Sequence, residues 1–269
     1  MDKLERKAAA LDRAATKAER MAAKLAAKAS RIDEVSARLA SLDLWMRPEP
    51  GSRKPRFSRD DIAAAALHIA DTEGFEALSM RRLATELGSG TMTLYHYVRT
   101  KDELLALLHD AVMGELLIPD DDLPREWRSA LLMIAERSRA SWQRHPWALD
   151  IQIEPTPGPN GAKHFEQSLQ AVSSYPGTLA ERVELTTAVD EYVLGYCWFS
   201  RSNAPGTGAS DRDMLAYMNA LLASGEYPVL QALRDEHGLA PLLRELDVAL
   251  SDGGRFRRNL ERLLDGFAR

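Results

Sequence analysis

Between Phe57 and Leu105 the apolar positions fall into four short runs, each bounded by residues suited to start or stop a helix. Ile62, Ala66, Ile69 and Ala70 recur at the three- and four-residue spacing of one helical face. Ser58 stands before them as an N-cap, with Asp61 as the acidic partner of a capping box, and Glu73-Gly74 stops the run. Leu78-Ser79 opens a second run whose Leu83, Ala84 and Leu87 share a face, and Gly88 follows where a left-handed residue ends a helix. The pattern predicts a third helix from Thr91 to Val98. A fourth, from Lys101 to about Leu117, runs through Leu104, Leu105, Leu108, Ala111 and Val112 and ends at Pro119 and three aspartates. Two short helices joined by a tight glycine turn make a helix-turn-helix, whose second helix fits a DNA major groove.

Upstream, residues 1–44 carry a different period. Leu4, Leu11, Ala18, Leu25, Ile32 and Leu39 repeat every seven residues, and a second seam through Ala14, Met21, Val35 and Leu42 is interrupted by Lys7 and Lys28. This is a heptad-patterned helical extension, either an arm ordered by contact or an Ala-rich helix exposed to solvent. Residues 45–57 hold three prolines and a glycine and are expected to be a linker. Its basic end, Arg53, Lys54 and Arg56, could lie along phosphates or enter a minor groove, or could serve only solubility.

Downstream, residues 118–269 read as helices throughout: Trp127 to Arg144, a short piece after Pro146, Ala162 to Ser174, Leu179 to Ser202, Asp211 to Ser224, Pro228 to Glu236 and Gly254 to Phe267. No alternating strand pattern appears, so the fold class is all-α, with a DNA-binding domain at 58–117 and a second helical domain at 118–269. The long segment from Leu179 to Ser202 is apolar on more than one face, which calls for burial on opposite sides. Trp142, Trp147, Phe165, Tyr192 and Tyr196 are spread over helices that could converge on a small-molecule cavity or simply form an aromatic core.

The net charge of −5 looks wrong for a DNA-binding chain until it is divided. Residues 1–101 hold 19 Lys/Arg against 14 Asp/Glu, and residues 102–269 hold 16 against 26. The positive excess thus lies in the N-terminal part of the chain, much of it upstream of the helix-turn-helix, which is not itself strongly basic. A single cysteine, Cys197, excludes an intrachain disulfide framework and fits a reducing cytoplasm. No apolar run approaches a membrane span. The six histidines show no pair at helical spacing, and no nucleophile elbow, phosphate loop or metal loop is present. An enzyme and a resident cofactor are therefore not expected, and Glu184, Asp190 and Glu191 read as a wetted helix edge or part of an interface.

Within the helix-turn-helix, the start of the recognition helix should face base edges. Thr91, Met92 and Thr93 are the first candidates, while Tyr95, His96 and Tyr97 offer polar tips for phosphates or groove walls. The whole stretch resembles the DNA-binding domain of the TetR (tetracycline-repressor-like) regulators. The resemblance is carried by Gly74-Phe75, Leu78-Ser-Met-Arg-Arg-Leu-Ala84, Leu87-Gly88, Thr93-Leu-Tyr-His-Tyr-Val98 and Lys101-Asp-Glu-Leu104. It covers about fifty residues and implies phosphate clamps at Tyr95 and Lys101. It also implies a guanine-reaching side chain at Arg81, and Ser79 beside it is a further DNA-contact candidate. It further implies a homodimer built on the Leu179–Ser202 and final helices, a palindromic double-stranded operator, and a small apolar or aromatic effector that releases a repressor. The residues alone leave one alternative, a helical scaffold protein that recruits partners through its N-terminal arm.

Overall fold

The computed structural model describes residues 42–49, 57–151, 157–202 and 211–268, and every regular element among them is helical. The heptad arm up to residue 41 and the basic residues Arg53, Lys54 and Arg56 lie outside the described residues. We number the helices α1 Arg59–Thr72, α2 Met80–Glu86, α3 Thr91–Leu94, α4 Lys101–Leu116, α5 Trp127–Arg144 and α6 Pro159–Ala171. They continue as α7 Leu179–Ser202, α8 Asp211–Leu222, α9 Pro228–His237, α10 Leu239–Ser251 and α11 Arg255–Phe267. The chain divides into two units, one comprising 1–114 and 151–162, the other 115–150 and 163–269.

The first unit starts its helices as the pattern predicts. Ser58 Oγ accepts from Asp61 N, and the Asp61 carboxylate accepts from Ser58 N at 2.8 Å, closing the capping box of α1. Ile62, Ala66 and Ile69 are fully buried, as are Leu83, Leu94, Val98 and Leu108. Gly88, with φ +58°, ends α2 in a Schellman turn: its N–H donates to Thr85 O, and Ser89 N–H donates to Ala84 O at 2.9 Å. The third helix is shorter than expected. After Leu94 the backbone tightens, with His96 N–H donating to Thr93 O and Tyr97 N–H to Leu94 O.

Residues 42–46 are helical, so Trp45 and Met46, expected to belong to the linker, lie in a helical segment. Leu44 is fully buried, and Arg47 donates to Glu103 Oε2 at 2.8 Å, to Glu103 Oε1 at 3.2 Å and to Tyr97 O at 3.0 Å. Arg59 returns a bond to Arg47 O at 3.0 Å. This short segment is therefore part of the folded DNA-binding unit.

Helix α6 begins at Pro159, three residues earlier than the pattern suggested. Proline is tolerated at the first helical position, where an N–H would have no partner within the helix. Asp110 of α4 supplies the cap from a distance, its carboxylate accepting from Asn160 N at 3.2 Å and Gly161 N at 2.9 Å. A Cβ at Gly158 would lie 2.4 Å from Asp110 Oδ1 and 2.6 Å from the Trp45 ring, so only glycine fits there.

In the second unit α7 packs closely on α5 and α11. Leu131, Ile134 and Ala135 of α5 meet a core completed by Leu185, Val189, Val193 and Cys197 of α7 and by Phe256, Leu260 and Leu264 of α11. Gln167 of α6 clips the strand-like residue Ile118, accepting from its N–H at 3.0 Å and donating to its carbonyl at 2.7 Å. Helix α10 has no counterpart in the sequence expectation, which placed no helix between Glu236 and Gly254. Pro241 falls in the first turn, which needs no N–H from it.

Candidate functional site

The turn at Gly88 delivers α3 with its apolar residues divided by position. Leu94 and Val98 are fully buried, whereas Met92, two residues before Leu94, is 73% exposed. Thr91 and Thr93 are half-buried, and Tyr95 and His96 are exposed. Gly90 precedes the helix in an extended conformation and offers no side-chain cap. The opening of α3 thus shows methyl, hydroxyl and thioether groups outward, the inventory that reads thymine methyls and base-edge acceptors.

Tyr97 does not belong with them. Its ring is 5% exposed and packs on Phe57 with centroids 5.1 Å apart. The side chain expected at a groove wall instead completes the core beneath the recognition helix, because the tightened turn after Leu94 swings it inward.

The two arginines of α2 divide their work. Arg82 donates through Nε to both oxygens of Glu73, at 2.9 and 3.0 Å, and through Nη2 to Glu86 at 2.8 Å. It ties α2 to the end of α1, and those bonds push its pKa up. Arg81 is exposed, and among the described residues its side chain has no ion-pair partner. Ser79 is exposed and N-caps α2, accepting from Arg82 N at 3.2 Å.

Lys101, the exposed first residue of α4, sits on a rigid mount. Thr100 Oγ1 accepts from Glu103 N at 3.1 Å, while the Glu103 carboxylate accepts from Arg99 N at 2.8 Å and pairs with Arg47. Thr100 and Glu103 have capping-box spacing, so Glu103 was findable in the sequence; its bond to Arg47, 56 residues away, carried no local signal.

Of the five aromatic residues considered for a cavity or an aromatic core, Tyr192 and Tyr196 come together, with ring centroids 6.1 Å apart. Tyr192 and Tyr196 of α7 close around Phe256 of α11, at 5.4 and 5.0 Å, and Tyr192 Oη donates to Phe256 O at 2.8 Å. Arg139 lies over Phe256 at 4.8 Å, and Arg255 over Tyr196 at 4.8 Å. Trp147 stands edge-on to His145 at 5.8 Å, and Trp142 is buried. Phe165 is 54% exposed on α6. On the neighbouring face of the same helix, His164 is buried and approaches Asp190 of α7 at 4.0 Å.

Helix α7 also carries large apolar groups outward: Trp198 is 54% and Phe199 39% exposed. Among the described residues no cluster of three or more metal-ligating side chains occurs, and no helix is long and apolar enough to cross a membrane.

Residues 62–108 match the family described as bacterial regulatory proteins, tetR family, and residues 119–269 match the tetracyclin repressor-like C-terminal domain. The HTH-type transcriptional repressor DrrR1 of Streptomyces coeruleorubidus is 36% identical over 232 residues, covering 83% of this chain and 82% of its own. Tetracycline repressor protein class D of Escherichia coli is 28% identical over 220 residues, covering 79% of this chain and 89% of its own. The Streptomyces coelicolor TetR family protein ActR, solved in complex with actinorhodin, superposes with a TM-score of 0.59 at 28% identity, covering 79% of this chain and 97% of that one. On both matched domains and on the extent of these likenesses, the chain belongs to the TetR family of transcriptional regulators.

Proposed function

We propose that the protein is a repressor that binds a roughly palindromic operator as a homodimer and leaves it when a small apolar or aromatic molecule binds its second unit. The observation that carries the DNA-binding part is the opening of α3, where exposed Met92 and half-buried Thr91 and Thr93 sit directly on the buried anchor Leu94. Arg81, Thr91, Met92 and Thr93 take base-edge roles in this reading. Ser79, Tyr95, His96 and Lys101 take phosphate roles, joined by Arg53, Lys54 and Arg56 from the basic segment. Two recognition helices about 34 Å apart would meet successive major-groove faces.

The dimer is assigned to α7 and α11, as the resemblance implies, and the partly exposed Trp198 and Phe199 give α7 an apolar outer face consistent with that. Release by an effector requires a molecule that binds the non-operator conformation more tightly than the operator-bound one. The likeness to ActR, whose solved complexes contain actinorhodin and (S)-DNPA, supports a small-molecule effector for this chain. A repressor of this kind acts in the cytoplasm, where its operator is.

The test is a titration of the full chain against the DNA flanking its own gene, with a scrambled duplex as competitor, at two salt concentrations. Tight binding that survives competition is expected. Weak binding equal on both duplexes and abolished by salt would reduce the interaction to phosphate attraction and return the N-terminal arm to the centre of the function.

A further inference from the structure

We propose that two copies of this chain join through an antiparallel crossing of α7, in which Glu191 of each copy pairs with Arg255 of the other. The inference rests on the dimer assigned above to α7 and α11, and names the charges that fix its register.

The outward residues of α7 fall on one stripe, Glu184, Ala188, Glu191, Gly195 and Trp198, at alternating spacings of four and three residues. That is the seam of a helix packed along a second helix. Ala188 is half-buried and the other four are exposed. Gly195 stands inside a 24-residue helix, where glycine is unfavourable. A Cβ there would meet nothing within 4 Å, so no neighbour in the same chain demands the glycine. A second helix crossing at that point does, because two backbones approach closely only where no side chain intervenes.

The two halves of the stripe differ in charge. The first carries Glu184 and Glu191, and among the described residues neither carboxylate has a hydrogen-bond or ion-pair partner. The second lies beside two guanidiniums. Arg255, at the start of α11, sits over the Tyr196 ring at 4.8 Å and 5.9 Å from the Phe199 ring. Arg139 of α5 sits over Phe256 at 4.8 Å and over Tyr196 at 5.4 Å. The Nε of each arginine is buried with no hydrogen-bond partner, and among the described residues neither is in a salt bridge. Asp252, just before α11, is held by Arg258 and by the N–H of Gly254. Stacking on the rings fixes the direction of Arg255 without neutralising it.

A face with an acid in one half and an unneutralised cation beside the other is complementary to itself when turned about a two-fold axis. An axis beside Gly195 sets Glu191 level with the partner's Phe199, and so beside the partner's Arg255. Each dimer then holds the pair twice. An axis nearer Ala188 would set Glu191 against the partner's Glu184, and a parallel crossing would set the two copies of Glu191 together. Repulsion between like charges disfavours both.

The experiment measures the dimer dissociation constant of the full chain by sedimentation for wild type, Glu191→Arg, Arg255→Glu and an equimolar mixture of the two variants. Each variant alone opposes like charges at both copies of the pair, and its dimer is expected to weaken at least about tenfold. In the mixture the heterodimer regains two opposite-charge pairs, and it is expected to form within about threefold of the wild-type affinity. Rescue by mixing requires contact between chains, since a pair within one chain would gain nothing from it. Single variants as dimeric as wild type, or a mixture no tighter than its components, overturns the pairing. Circular dichroism checks that the variants fold. Should Arg255→Glu fail to fold, Glu191→Gln, Arg255→Gln and their combination take its place: losses that do not add support the pair, and additive losses overturn it. Dissociation by Trp198→Glu but not by the charge variants removes the ion pair and leaves α7 as the interface, whereas a monomeric wild type removes both.

Discussion

The guanidinium of Arg47 reaches both oxygens of Glu103, at 2.8 and 3.2 Å, across 56 residues of chain. Glu103 is 3% exposed at the side chain and Arg47 12%, and the same arginine also holds the carbonyl of Tyr97. The residue before the basic segment thus grips the junction between the recognition helix and α4, where Lys101 projects. Removing one partner of a buried ion pair strands the other charge, at about 3–5 kcal/mol. Arg47→Ala is expected to lower the stability of the DNA-binding unit by that order, and Arg47→Met with Glu103→Leu by much less. Denaturant melts of the two variants measure this, and equal losses would mean that the pair is not the source of the grip.

The same geometry sets where the N-terminal arm can be cut. Deleting residues 1–41 leaves Leu44 and Arg47 in place and should yield a folded, operator-binding protein. Deleting 1–49 removes a fully buried leucine and the Arg47 bridge, and should lower the melting temperature and weaken operator binding together. Identical behaviour of the two truncations would show that the segment adds nothing to the unit.

The DNA-facing residues are expected to separate into two kinds. Lys101→Ala and Tyr95→Phe should weaken binding on every sequence, with Lys101→Ala reducing the salt slope by about one. Thr93→Ala and Arg81→Ala should change which bases are preferred, each costing about 1–3 kcal/mol at its position. Tyr97→Ala belongs to neither kind: it opens a cavity against Phe57 and should destabilise the fold by about 3–5 kcal/mol. Affinity selection on a randomised operator distinguishes the three. Parallel loss of all binding by all the mutants would dissolve the division of roles.

What the sequence could reveal was what neighbouring residues decide. The Ser58–Asp61 box, the Gly88 turn and the bounds of α5 and α7 follow from caps and periodicity, and they stand where the pattern put them. What failed was decided by partners far along the chain or by chemistry that reads both ways. The proline-rich stretch through Pro159 looked like a break because proline usually ends helices, yet Pro159 is the first residue of α6, where its missing N–H costs nothing. The start of α6 depended on Asp110, some fifty residues away, and no local signal could announce it. Tyr95 and Tyr97 are chemically alike and two residues apart, so only the tightened turn after Leu94 reveals which is buried. Phe165 and His164 show the same limit: one helical step decides which faces inward, and periodicity over so short a helix leaves that choice open.

Trp198 and Phe199 lie outward on α7 while Cys197 between its neighbours is buried. Partly exposed large apolar groups on a helix that also packs two others suit a further surface. Trp198→Glu and Phe199→Glu are expected to shift the protein from dimer to monomer in sedimentation, with the helical content unchanged. Operator affinity should fall with dimerisation. Dimers of undiminished stability in both variants would move the interface to another face.

Asp190 makes a pH-dependent prediction whose sign can be worked out. Its folded pKa, about 6, lies above the ordinary aspartate value of 3.8, so the folded protein binds the proton more tightly than the unfolded chain. Ionising this carboxyl in its desolvated site therefore costs stability, and the cost is fully present above about pH 6. As the pH falls from 6 toward 4 the folded state takes up the proton first, and the cost disappears. Asp190→Asn carries no such charge at any pH and keeps the shape of the side chain. The variant should melt at a higher temperature than the wild type at pH 7, and the difference should shrink steadily between pH 6 and 4. Comparing the two proteins cancels the titration of other carboxylates, which both share. A wild type more stable than the variant at pH 7 would mean that the ionised Asp190 has a favourable partner in the folded protein.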